Sequence, residues 1–201
     1  ANPVVPGCHP DPSVCRVGDD YYLVTSTFEY LPGLPVLRSR DLAHWEPVGH
    51  VVHGAPDLSG LPSSSGLYAP TIRHHDGLFW VVCTVVDQRA DGSPADERRP
   101  GLGHFLVTAA DPAGPWSEPA WLGGDGIDPS LFFDDDGRAW VLATRPARQP
   151  EWPGQTEVWL RELDPVARVL VGPEHVIWTG AVRGAVWAEG PHLYRVDGRY
   201  L

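Results

Sequence analysis

The sequence predicts an all-β protein of β-propeller architecture, carrying about three blades and the start of a fourth. Three observations carry that expectation. A unit of about 60 residues recurs along the chain and has room for four short strands. Each unit holds an Asp-Gly or Asp-Asp turn between two β-branched and aromatic runs, which is a hairpin signal. Gly and Pro, 22 of each in 201 residues, are frequent for a helical chain, and no segment shows convincing helical periodicity.

The units line up on a proline. Asp11-Pro12-Ser13 leads to Gly18-Asp19-Asp20 and the strand-like run Tyr21 to Thr25. Ala69-Pro70-Thr71 leads to Asp76-Gly77 and Leu78 to Thr84. Asp128-Pro129-Ser130 leads to Asp136-Gly137 and Arg138 to Thr144. Glu189-Gly190-Pro191 leads to Asp197-Gly198 and Arg199-Tyr200-Leu201. Prolines 12, 70, 129 and 191 are thus 58, 59 and 62 residues apart. Further strands are expected at Leu34–Ser39, Gly103–Ala109 and Thr156–Leu163, with outer ones near Trp45–Val52, Trp116–Leu122 and His175–Thr179. Separate hairpin domains are disfavoured because a lone hairpin cannot bury its apolar face. The blades then fall at about 1–60, 61–122 and 123–182, with a fourth starting at about 183–201.

Composition excludes several classes. Hydrophobic residues make up 42% of the chain and nine are Trp, enough for a sizeable core and not the mark of a disordered chain. A net charge of −11 argues against nucleic acid or an anionic membrane as partner. No apolar run reaches the length of a membrane span. Cys8, Cys15 and Cys83 form neither a disulfide framework nor a zinc pattern; buried thiols are expected ahead of a Cys8–Cys15 pair. With no signal peptide at Ala1 to Val5, a cytoplasmic location is expected over secretion.

The repeat phase points to chemistry. The residues at the start of each innermost strand face the propeller axis, and here they are Asp11, Ala69, Asp128 and Glu189. Three carboxylates on one pocket raise one another's pKa, which lets one stay protonated while another stays ionised. Hydrolysis of a glycosidic bond needs that division of labour. Two other readings compete: Asp before Pro-Ser as a plain turn residue, and a calcium site. The equivalent placement of all three weakens the first, and the lack of closely spaced oxygen ligands weakens the second.

These motifs together resemble glycoside hydrolase family 43, five-bladed propeller enzymes that include β-xylosidases and α-L-arabinofuranosidases. The resemblance covers essentially the whole chain. It rests on the opening stretch Asn2 to Arg16, on Thr25 to Pro35, on Ser39 to Glu46, on Gly126 to Phe132 and on Ala188 to Tyr194. It implies Asp11 as general base, Glu189 as general acid, and Asp128 as the carboxylate that orients the acid and raises its pKa. It places Phe28 and Tyr68 as apolar walls around the terminal sugar, Tyr68 standing where many β-xylosidases carry Trp. No metal is assigned to the site and no cofactor to the chemistry; a structural calcium ion is expected only in a complete propeller. The implied reaction is inverting exo-hydrolysis of terminal β-1,4-linked xylose from xylo-oligosaccharides. α-L-Arabinofuranosidase activity, alone or as a second activity, is the alternative. A non-catalytic carbohydrate-binding propeller or an inactive fragment is the alternative of another class. The oligomeric state is left open.

Smaller features complete the expectations. Trp80 and Trp140 are expected to pack between blades, His74-His75 to be exposed, and His9 to be a candidate for the pocket wall. Asp134-Asp135-Asp136 reads as a solvated turn, and residues 89–100 as a surface loop able to rim the pocket. Because three blades do not close a ring, the chain is expected to be part of a longer protein.

Overall fold

A computed structural model of the chain describes residues 2–88 and 102–201. It contains three four-stranded antiparallel sheets and one two-stranded hairpin, with no helix among the described residues. The first sheet is β1(Ser13–Val17), β2(Asp20–Val24), β3(Gly33–Ser39) and β4(Glu46–Val52). The second is β5(Gly66–His75), β6(Leu78–Val86), β7(Gly103–Ala109) and β8(Ala120–Trp121). The third is β9(Ile127–Phe133), β10(Ala139–Pro146), β11(Thr156–Asp164) and β12(Val169–Trp178). The hairpin pairs β13(Arg195–Val196) with β14(Arg199–Tyr200). Within each sheet the strands are ordered as in the sequence, so each is one meandering blade. The resemblance to a propeller holds, and residues 89–100, the expected rim loop, lie outside the described residues.

The turns explain the hairpins. Asp76-Gly77 and Asp197-Gly198 both have positive φ at both residues, as a two-residue type I′ turn requires. Asp136-Gly137 differs, because only Gly137 is positive. There Phe133 pairs with Ala139 across a five-residue loop, in which Gly137 N–H donates to the Asp134 carbonyl at 3.1 Å and Asp134 N–H to the Arg138 carbonyl at 2.9 Å.

The core lies between blades. On β6, Phe79, Val81, Cys83 and Val85 face the first blade, where Val24, Leu34, Val36 and Val52 meet them. The alternate residues Trp80 and Val82 face the third blade and pack with Leu131, Val141, Ala143 and Trp159. The strand's period of two therefore feeds two separate cores, and both faces are apolar for that reason. Trp80 packs between blades as expected, at 5% exposure, whereas Trp140 is half-buried under the Arg138 guanidinium, 4.3 Å from its ring centroid.

Other expectations are corrected. His74 and His75 are half-buried rather than exposed: His74 meets the edge of Phe79 and His75 stacks on Phe133 at 4.2 Å. Asp134 is not a solvated turn residue, since it accepts the Tyr200 hydroxyl at 2.6 Å and pairs with Arg195, docking the fourth unit's hairpin on the third blade. The three cysteines are free thiols; Cys83 is buried, Cys15 half-buried, and Cys8 exposed rather than buried.

Candidate active site

Each blade places one dipeptide in the same distorted way. Ser130 pairs with Leu142 and Ile127 with Thr144, so Asp128-Pro129 lies opposite the single residue Ala143. Thr71 pairs with Val82 and Tyr68 with Thr84, so Ala69-Pro70 lies opposite Cys83. Ser13 pairs with Val24, and Ser26 N–H donates to the Pro10 carbonyl, so Asp11-Pro12 lies opposite Thr25. Two residues facing one is a β-bulge, where proline's missing N–H breaks no ladder bond. Asp11, Ala69 and Asp128 take φ of 54°, 37° and 57°, a left-handed backbone that non-glycine residues rarely adopt. The bulge re-aims these side chains out of the sheet's alternation and toward the axis.

They converge as the repeat predicted. Asp11, Ala69, Asp128 and Glu189 line one cavity of about 360 Å³, together with Pro12, Pro70, Pro129, Trp187 and His192. Asp11 Oδ2 accepts the Ser26 hydroxyl at 2.6 Å. Asp128 Oδ2 accepts the Gly190 N–H at 3.0 Å, which ties it to the residue following Glu189. Burial pushes Asp128 up to about 6, with the negative charges of Glu189 and Asp11 adding to it against the Gly190 bond. Glu189 stands at the exposed rim, yet desolvation of its carboxyl, and then Asp11, raise it above the ordinary range. The cavity can thus hold a proton on one side while keeping negative charge on the other.

His192, one of the lining residues, is held by a cation. Arg73 donates from Nη2 to His192 Nδ1 at 3.1 Å, and its guanidinium lies over Tyr194. An arginine can only donate, so Nδ1 is the acceptor and Nε2 carries the ring proton. Burial and the Arg73 charge both lower the His192 pKa. Among the described residues no group of three or more His, Cys, Asp or Glu side chains is arranged to hold a metal ion.

Phe28 and Tyr68 meet edge to face, with ring centroids 4.9 Å apart. The Phe28 and Leu67 backbones exchange two hydrogen bonds, and the Tyr68 hydroxyl donates to the Ser64 carbonyl, so this aromatic pair spans blades one and two beside Ala69. Neither ring is among the residues that line the acidic cavity. His9 does not line it either, and its Nδ1 is buried without a partner among the described residues. Sequence reasoning did not single out Ser26, Trp187 or His192. Trp187 is 72% exposed at the cavity and has φ of 52°, an outlying conformation for so bulky a residue. Its position two residues before Glu189 was the available signal.

Known proteins match the chain over nearly its whole length. A "Xylosidase/arabinosidase" of Butyrivibrio fibrisolvens is 48% identical over 207 residues, covering 99% of this chain and 37% of that protein. The "Non-reducing end alpha-L-arabinofuranosidase BoGH43B" of Bacteroides ovatus is 42% identical, covering 99% of this chain and 34% of that protein. The crystal structure of xylan beta-1,4-xylosidase from Bacillus halodurans C-125 superposes with a TM-score of 0.84 at 40% identity, over 99% of this chain and 37% of that one. The chain therefore spans just over a third of the length of these relatives. The sequence profile of the glycosyl hydrolases family 43 matches residues 1–201 from end to end, and the chain belongs to that family.

Proposed function

We propose that this chain carries the acid-bearing half-ring of an inverting exo-glycosidase that removes terminal β-1,4-linked xylose from xylo-oligosaccharides. The observation that carries the reading is the single cavity shared by Asp11, Asp128 and Glu189, with Asp128 and Glu189 both raised. In the proposed reaction a water attacks the anomeric carbon from the face opposite the leaving group. Asp11 takes the proton that water gives up. Glu189 delivers its proton to the glycosidic oxygen as the bond to carbon breaks. Asp128, tied to Gly190, orients Glu189, and its negative charge keeps the proton there until transfer. Inversion by one displacement needs base and acid about 6.5–9.5 Å apart, leaving room for the water. Phe28 and Tyr68 are proposed as apolar walls for the sugar on the blade-one side.

α-L-Arabinofuranosidase activity is the second reading, favoured by the names of the Butyrivibrio and Bacteroides relatives. The test is hydrolysis of aryl β-D-xylosides against aryl α-L-arabinofuranosides by the intact enzyme, with the released anomer followed by NMR. Faster xyloside cleavage that first releases α-xylose supports the proposal. A clear arabinoside preference replaces the substrate, retention of configuration defeats the mechanism, and sugar binding without turnover makes the propeller a binding module.

A further inference from the structure

Hydroxyl side chains recur at one place in the repeat. The residue just past each bulge, on the second strand or its extension, is Ser26 in blade one, Thr84 in blade two and Thr144 in blade three. Their hydroxyls do different things. Thr84 Oγ1 bonds to His104 Nδ1 at 2.8 Å, inside blade two. Thr144 Oγ1 is buried with no partner among the described residues. Ser26 alone turns to a carboxylate, donating to Asp11 Oδ2 at 2.6 Å.

The surroundings of Ser26 fix that direction. It is 2% exposed, so water does not compete for it. Its oxygen accepts the Ala69 N–H at 2.7 Å, which comes from the matching bulge of the next blade. A hydroxyl has one proton to give, and with Ala69 on its lone pair that proton goes to Asp11. The Ser26 backbone N–H bonds to the Pro10 carbonyl at 3.1 Å, so the residue holds the strained Asp11 both by its carboxylate and by the peptide before it. Among the described residues no donor reaches Asp11 Oδ1, and Asp11 lines the cavity.

We propose that Ser26 is a positioning residue for the general base: it locks Asp11 Oδ2 against blade two so that Oδ1 faces the attacking water. This rests on the glycosidase reading above. A charge-assisted bond to a buried hydroxyl holds a carboxylate more firmly than a solvated one does. Misplacing a base by a fraction of an ångström slows the step it serves, while sugar binding is untouched.

The experiment is Ser26→Ala in the intact enzyme, assayed on xylobiose and on an aryl β-xyloside with a strongly activated leaving group. The expected result is a fall in kcat of about 10-fold or more on both substrates, with KM and inhibition by free xylose changed less than about twofold. Loss on the activated substrate is the telling readout, because that substrate needs little help from the acid but still needs the base. Circular dichroism and melting temperature, measured alongside, account for the Ala69 N–H left unpaired. An active parent whose variant keeps its kcat overturns the assignment, as does a defect that vanishes with the activated leaving group or that follows the loss of folded protein. A parent inactive on xylosides and arabinosides alike overturns the glycosidase reading, and this assignment with it.

Discussion

Asp11 and Glu189 face the same cavity but are held in opposite ways. Asp11 sits in a bulge between two packed blades, and its carboxylate is bound by Ser26. Glu189 sits on a segment held through its backbone. Trp187 N–H donates to the Gly154 carbonyl at 3.0 Å, the Thr156 hydroxyl to the Ala188 carbonyl at 2.7 Å, and Gly190 N–H to Asp128. Among the described residues no donor reaches the Glu189 carboxylate itself. The difference suits the two jobs proposed for them. A donor on a carboxylate favours the ionised form, which suits a base and would hinder an acid. In that proposal the acid's position is set by its backbone, while burial of its carboxyl, with the Asp11 charge adding to it, favours its protonated form.

The largest effect that tests this contrast is at Asp11, the proposed base. Asp11→Ala in the intact enzyme is expected to cut turnover about 100- to 10,000-fold on every substrate, whatever the leaving group. Steady-state kinetics on xylobiose and activated aryl xylosides check it, and turnover preserved on either one removes Asp11 from the role. Next comes Glu189→Gln, expected to cost about as much on xylobiose but about 10-fold or less on an activated aryl xyloside. Equal losses on both substrates would erase the distinction between the two sides. The smallest effect is on stability at Asp128. Its folded pKa, about 6, lies above the ordinary value of 3.8, so the folded state binds more protons between those pH values. Ionising Asp128 thus lowers stability as pH rises through about 4 to 6, and the loss is complete above that range. Asp128→Asn is expected to raise the melting temperature by a few degrees at pH 7.5 and to leave it unchanged at pH 3.5. A gain equal at both pH values would trace the effect to packing rather than charge.

Much of the blade structure was legible because a period of two and Asp-Gly turns are local signals. Gly103–Ala109 was expected as a strand and is β7 from end to end. The outer strands were less legible. Trp116–Leu122 shrinks to Ala120–Trp121, which starts directly after Pro119, a residue that supplies no N–H to a ladder. The strand expected at His175–Thr179 instead runs Val169–Trp178. Asp164 starts it earlier: its carbonyl accepts the Arg168 N–H and its carboxylate takes those of Val166 and Ala167, closing a tight turn. At the site, the carboxylates were legible from their repeat positions. Ser26 was not, because the role proposed for it depends on a contact with Ala69, 43 residues away. The recurrence of a hydroxyl at 26, 84 and 144 is visible in the sequence, but only geometry shows which one meets a carboxylate.

Ala69 occupies the same strained seat as Asp11 and Asp128, yet brings no charge. A ring of repeats offers equal seats, whereas a displacement reaction needs a direction. A carboxylate at 69 would stand beside Asp11 across the shared Ser26 hydroxyl and compete for its one proton. The methyl group there, with Pro70 next to it, gives the cavity a side without charge, against which, in the proposed reaction, the C–H face of a sugar would lie while its reacting carbon is turned toward the acids. Loss of a functional group at one seat thus breaks the symmetry of the scaffold and gives the pocket an orientation.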